Sequence, residues 1–138
     1  NDDVMGVIQP GQHGSTFGGN PIAAEVAMAA LEVVKDEGLA PHARELGQYF
    51  RDQMNAIIAE TELVTKVRGK GLLNAIIIND TPDSSTAWDI CVALKENGLL
   101  AKPTHGNIIR FAPPLVMTKA QMDDCVAIIR KTLLEFKK

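Results

Sequence analysis

The chain has 138 residues, 46% of them hydrophobic and 22% charged, with a formal net charge of −3. Those figures fit one globular domain of ordinary size and exclude a disordered or fibrous chain. The absence of a basic block and the 4% aromatic content argue against a nucleic-acid partner, and no apolar run reaches the ~20 residues of a membrane span.

The first residues, Asn1–Val4, carry no initiator Met, no basic n-region and no apolar h-region. The chain is therefore expected to begin inside a longer protein and to carry no secretory signal. Val4–Ile8 is a short apolar run ending at Gln9-Pro10-Gly11, readable as a strand end or a loop. A glycine-rich turn follows, His13-Gly14-Ser15-Thr16-Phe17-Gly18-Gly19-Asn20-Pro21. Asn20 suits an N-cap and Pro21 the first helical position. A turn of this kind at a helix start has two readings. It is either an anion cradle built from hydroxyl and backbone donors, or a capped turn with no ligand.

Ala23, Ala24, Ala27, Ala30, Leu31 and Val34 recur at helical spacing, which predicts a helix over Pro21–Glu37 with Gly38 as a left-handed cap. Leu39, Ala43, Leu46, Phe50 and Ile57 predict a second helix over Pro41–Glu60, with Arg44, Glu45, Arg51 and Asp52 on its wet face. Leu63–Arg68 and Leu72–Ile78 read as strands, with Gly69 and Gly71 breaking or bulging the chain around Lys70. A third helix is expected from Ser85 to Asn97, then a short strand Leu99–Ala101, a turn at Pro103–Gly106 and a strand Asn107–Phe111. Thr118 and Gln121 form a capping box that opens a last helix with Met122, Cys125, Ile129, Leu133 and Phe136 on its apolar face. The order from the second helix onward is αββαββα, an α+β pattern with helices on one side of a small sheet.

Few residues suggest chemistry. Arg110 lies among Ile108, Ile109, Phe111 and Ala112. Such a guanidinium either points inward and needs a carboxylate partner, or alternation turns it to a wet face. Lys70 between two glycines invites a nucleophile reading that nothing but the nearby charge of Arg68 supports, and Lys102 stands no better. His13, His42 and His105 have no ligand spacing, so no metal site is expected. Cys91 and Cys125 form no CxxC and read as buried, reduced thiols of a cytoplasmic protein.

The string Gly11–Pro21 resembles a segment of the class III pyridoxal-phosphate aminotransferases. So do Val67-Arg68-Gly69-Lys70-Gly71-Leu72-Leu73 and Ala101–Leu115, in the same order, and the last resembles the ornithine branch in particular. The resemblance covers nearly the whole chain but only the C-terminal part of such an enzyme. It implies a fold-type I transferase: residues 1–38 would end the large domain and supply a long interdomain helix, and residues 39–138 would form the small domain with a mostly antiparallel sheet. It implies pyridoxal 5'-phosphate as cofactor, with Ser15 and Thr16 reaching the phosphate across a homodimer interface. Arg110 would recognise a substrate carboxylate; in the ornithine branch it would also pair with a glutamate from the other part of the chain, leaving ornithine's terminal amine free to reach the cofactor and releasing the Arg for 2-oxoglutarate, and Lys70 would be non-catalytic. The family's cofactor-bearing lysine and its acidic partner of the pyridine nitrogen have no counterpart here, so no catalytic residue is assigned and the chain alone is expected to be inactive. The implied location is cytoplasmic, or the mitochondrial matrix in a eukaryote. Sister enzymes acting on acetylornithine or 4-aminobutyrate, and a non-catalytic α+β ligand-binding module, are the alternatives.

Overall fold

A computed structural model describes residues 1–137 and divides the chain into two compact units, Asn1–Glu37 and Gly38–Lys138. The first unit holds α1 (Asp2–Met5), the glycine-rich turn, and α2 (Pro21–Asp36). The apolar run near the start begins in a single helical turn that Asn1 caps through Asp3 N, and from Gly6 to Ile8 it is loop, one of the two expected readings. Asn20 caps α2 as expected, its side chain accepting from Ile22 N at 2.9 Å and Ala23 N at 3.3 Å. No residue of α2 is buried within the chain.

The second unit runs α3 (Leu39–Ile58), β1 (Val64–Lys70), β2 (Leu73–Ile78), α4 (Thr86–Glu96), β3 (Lys102–Thr104), β4 (Ile108–Phe111) and α5 (Lys119–Glu135). The expected αββαββα order is present. The four strands pair antiparallel in the order β1-β2-β4-β3. Gly38, at φ 60°, takes the left-handed conformation that suits glycine and starts α3 two residues earlier than the sequence pattern suggested.

Alternation splits the sheet into two unlike faces. Val64, Asn74, Ile76, Ile78, Ile109 and Phe111 point into the core. There they meet Leu46, Phe50, Met54 and Ile57 of α3, Ile90 and Leu94 of α4, and Met122, Ile129 and Leu133 of α5. All three helices lie on this face, and the other face has no covering element within the unit.

Two strand expectations shift. The chain does not break at Gly69; β1 runs through Lys70, and the turn is the two-residue Gly71-Leu72. The short strand is Lys102–Thr104, not Leu99–Ala101. Pro103 is tolerated because β3 is an edge strand, where one missing donor breaks no ladder on its outer side. Leu99 is buried instead as part of the connection leaving α4. Both cysteines are free thiols; Cys91 is buried, while Cys125 is only half-buried, against expectation.

Candidate functional site

In β4, Ile109 and Phe111 point to the core, so the period of two turns Arg110 to the helix-free face. The inward reading of this guanidinium is overturned. The register shows what stands beside it. Arg68 pairs with Ala75, Ala75 with Arg110, and Arg110 with Lys102, so one row across all four strands reads Arg68, Ala75, Arg110, Lys102. Lys66 and Lys70 point to the same face from neighbouring rows. Like charges opposed across a ladder repel each other. Among the described residues, none of these five cations forms an ion pair or a side-chain hydrogen bond.

A cavity of about 400 Å³ opens on this face, lined by Arg68, Lys70, Leu73, Ala75, His105 and Arg110 among others. Its lining combines basic, apolar and neutral polar residues and holds no carboxylate. An apolar floor with guanidinium donors above it suits an anion, because a planar fork makes two parallel bonds to a carboxylate. The β3–β4 turn forms the rim. His105 sits there at φ 49°, a left-handed conformation uncommon for a side-chain-bearing residue, and Gly106 follows at φ 72°. A Cβ on Gly106 would lie 2.2 Å from Pro82 O, so the turn packs closely on the β2–α4 connection.

The hairpin that carries Arg68 is fixed from the core side. Gly47 of α3 abuts the hairpin turn so closely that a Cβ there would lie 1.8 Å from Gly71 O. Arg51, expected on the wet face of α3, instead donates to Gly71 O at 3.2 Å and to Asn74 Oδ1 at 2.9 Å. The buried Asn74 donates in turn to Gly71 O at 3.0 Å. A buried polar side chain is kept only when its bonds are made, and Asn74 has both an acceptor and a donor partner.

Ser15 and Thr16 lie in the first unit, fully exposed, in consecutive turns closed by Gly18 N to Ser15 O at 3.3 Å and Asn20 N to Phe17 O at 3.1 Å. Among the described residues their hydroxyls and their own N–H groups have no hydrogen-bond partner. Gly19, at φ 76°, supplies the positive φ the turn needs. Lys70 is exposed at the end of β1, and no described cluster of His, Cys, Asp or Glu could hold a metal ion. The sequence reading passed over Arg68 and underrated Lys102. Counting alternate residues back from the buried positions of each strand was the signal that could have placed both beside Arg110.

Comparison with known proteins gives the family. Ornithine aminotransferase of Drosophila melanogaster, described as mitochondrial, is 57% identical over 97% of this chain, and the rat enzyme is 52% identical over 98%. The chain spans about 30% of the length of either relative. Among solved structures, an acetylornithine aminotransferase from Elizabethkingia anophelis is 70% identical, with a TM-score of 0.86, over 99% of this chain and 34% of its own. The ornithine delta-aminotransferase of Plasmodium falciparum is 46% identical with a TM-score of 0.81, over 97% of this chain and 34% of its own. These matches agree with the α+β, fold-type I expectation. The aminotransferase class-III model matches residues 1–133, and the chain belongs to that family.

Proposed function

We propose that this chain is part of a pyridoxal-phosphate-dependent ornithine aminotransferase. The intact enzyme moves the terminal amino group of ornithine to 2-oxoglutarate, giving glutamate and glutamate-5-semialdehyde. Residues 1–38 would complete a large cofactor-binding domain and its interdomain helix, and residues 39–138 would form the small domain. The observation that carries the reading is Arg110, unpaired among the described residues on a basic, carboxylate-free sheet face.

Bound pyridoxal 5'-phosphate supplies the electron sink for amino-group transfer. The donor set at the glycine-rich turn fits its phosphate: two free hydroxyls and unpaired backbone N–H groups in a glycine-permitted turn are what a dianion needs. Ser15 and Thr16 would hold that phosphate in the neighbouring subunit of a homodimer. Arg110 would bind the substrate carboxylate and orient the far end of the molecule toward the reacting centre. The rest of the site would come from the longer protein, so the chain alone would be inactive. The relatives called mitochondrial support a matrix location for a eukaryotic source, and a cytoplasmic one otherwise.

The 70% identity to an acetylornithine aminotransferase supports a second reading, in which the same site serves acetylornithine. Turnover of the full-length enzyme on ornithine, acetylornithine and 4-aminobutyrate separates the two. Preference for ornithine is expected, and preference for acetylornithine would overturn the ornithine assignment. In either case Arg110→Gln should raise KM for 2-oxoglutarate about 10–100-fold, the loss typical of a charge-assisted hydrogen bond. An unchanged KM would remove Arg110 from the site.

A further inference from the structure

We infer that Arg51, on the helix side of the sheet, is a positioning residue for the cavity on the opposite side. It holds the tip of the β1–β2 hairpin at the distance from Arg110 that anion binding needs. The inference rests on the reading of Arg110 as a carboxylate receptor.

Left to itself, the tip would not stay in place. Gly69, Lys70 and Gly71 include two glycines, the residue that loses most backbone freedom on ordering. β1 is an edge strand, so the tip has a strand neighbour on one side only. The charges push it outward. Arg68 and Lys70 line the same cavity as Arg110, no lining carboxylate offsets them, and like charges on one face of a sheet repel. A loose tip would swing away from Arg110 and widen the cavity.

The restraint comes from beneath the sheet. Arg51 Nη1 donates both to Gly71 O at 3.2 Å and to Asn74 Oδ1 at 2.9 Å, and Asn74 Nδ2 donates to Gly71 O at 3.0 Å. One nitrogen of α3 thus ties the turn to the start of β2. Leu72 is buried and also holds the turn to the core, but apolar burial has no direction, and these bonds supply one. The tie sits close to the receptor: Asn74 pairs with Phe111, and the next residue, Ala75, pairs with Arg110. The acceptors of Arg51 are Gly71 O, Asn74 Oδ1 and Gln48 Oε1, all neutral, and among the described residues it forms no ion pair. Its charge repels the very cations it steadies, so it acts through its bonds.

The experiment uses the full-length enzyme. Arg51→Gln should raise KM for 2-oxoglutarate about three- to tenfold, the value of the lost bonds, with kcat within about twofold of wild type. Raising the salt from about 0.05 to 0.5 M should narrow the KM gap between variant and wild type, because it screens the repulsion that the tie resists. Arg51→Lys keeps one donor of shorter reach, and its KM should fall between the two. Should the glutamine variant fail to fold, the lysine variant reads the same shift and the same salt dependence. A purely structural Arg51 would lower the thermal midpoint and leave KM unchanged at every salt concentration, and that result, or a gap that does not narrow with salt, overturns the inference. Arg110→Gln separates the two levels. Raised KM there with wild-type KM in both Arg51 variants removes the positioning role alone, whereas unchanged KM there removes the reading beneath it.

Discussion

Cys91 lies on the core-facing side of α4, 7% exposed, and burial pushes its thiol up to about 11 from the ordinary 9.0. The folded chain keeps a proton there that the unfolded chain gives up above pH 9. This residue's share of stability is therefore whole below pH 9 and drains away as pH rises toward 11. The same burial makes the thiol a poor nucleophile, since the thiolate is the reactive form. Cys125 is also raised, by burial first and by the Asp124 charge second. Alkylation of the folded full-length protein, followed by peptide mass spectrometry, should modify Cys91 with a midpoint near pH 11. A midpoint near 9 would show that the α4 face opens to solvent. These thiols fit packing roles.

Helix α3 and the β1–β2 hairpin are one mechanical piece. Gly47 lets the helix touch the turn at Gly71, and Arg51 and Asn74 bond to the carbonyl that the contact exposes. A methyl group at position 47 would strike backbone, which cannot swing away as a flexible side chain would. Gly47→Ala should therefore cost about 1–3 kcal/mol, the usual penalty of overpacking, read as a lower midpoint for thermal unfolding. It should also speed hydrogen exchange in β1 and β2, and unchanged exchange there would separate helix from hairpin. The helical stripes were legible in the sequence: Leu39, Ala43, Leu46, Phe50 and Ile57 are all buried, and the Thr118–Gln121 capping box is formed. Helices declare themselves through a period and a cap, both local. The edge strand β3 did not, because proline argues against a strand until the pairing order shows that its outer side is unpaired. Arg51 was misplaced for the same reason: besides Gln48 one turn away, it donates to groups 20 and 23 residues away, which no local pattern encodes. The basic row was half legible, since alternation aims each cation while only the register aligns them.

At the scale of the whole molecule, the two units differ in how they satisfy their apolar residues. Gly38–Lys138 closes a core of its own around Ile76, Ile90, Leu94 and Ile109. Asn1–Glu37 does not: in α2, Ile22 is 75% exposed, Val26 63% and Leu31 70%, and no residue of the helix is buried. Only Glu25, Glu32, Lys35 and Asp36 are charged along its sixteen residues, so the helix is apolar around most of its girth. A helix of that composition belongs in an interior or against a partner surface. Its relatives are about three times longer than this chain, and on the proposed reading the rest of such a protein covers the helix. Expressed alone, the 138 residues should associate through α2, because a helix with apolar residues around most of its girth is left in water. Sedimentation velocity over a range of concentrations should show species heavier than 14.9 kDa, growing with concentration. Replacing Ile22, Val26 and Leu31 together by lysine should return the chain to monomer without disturbing the second unit, whose core contains none of them. A wild-type chain that stays monomeric at high concentration would mean that α2 finds its cover within the 138 residues, and the need for a longer protein around it would lose its physical ground.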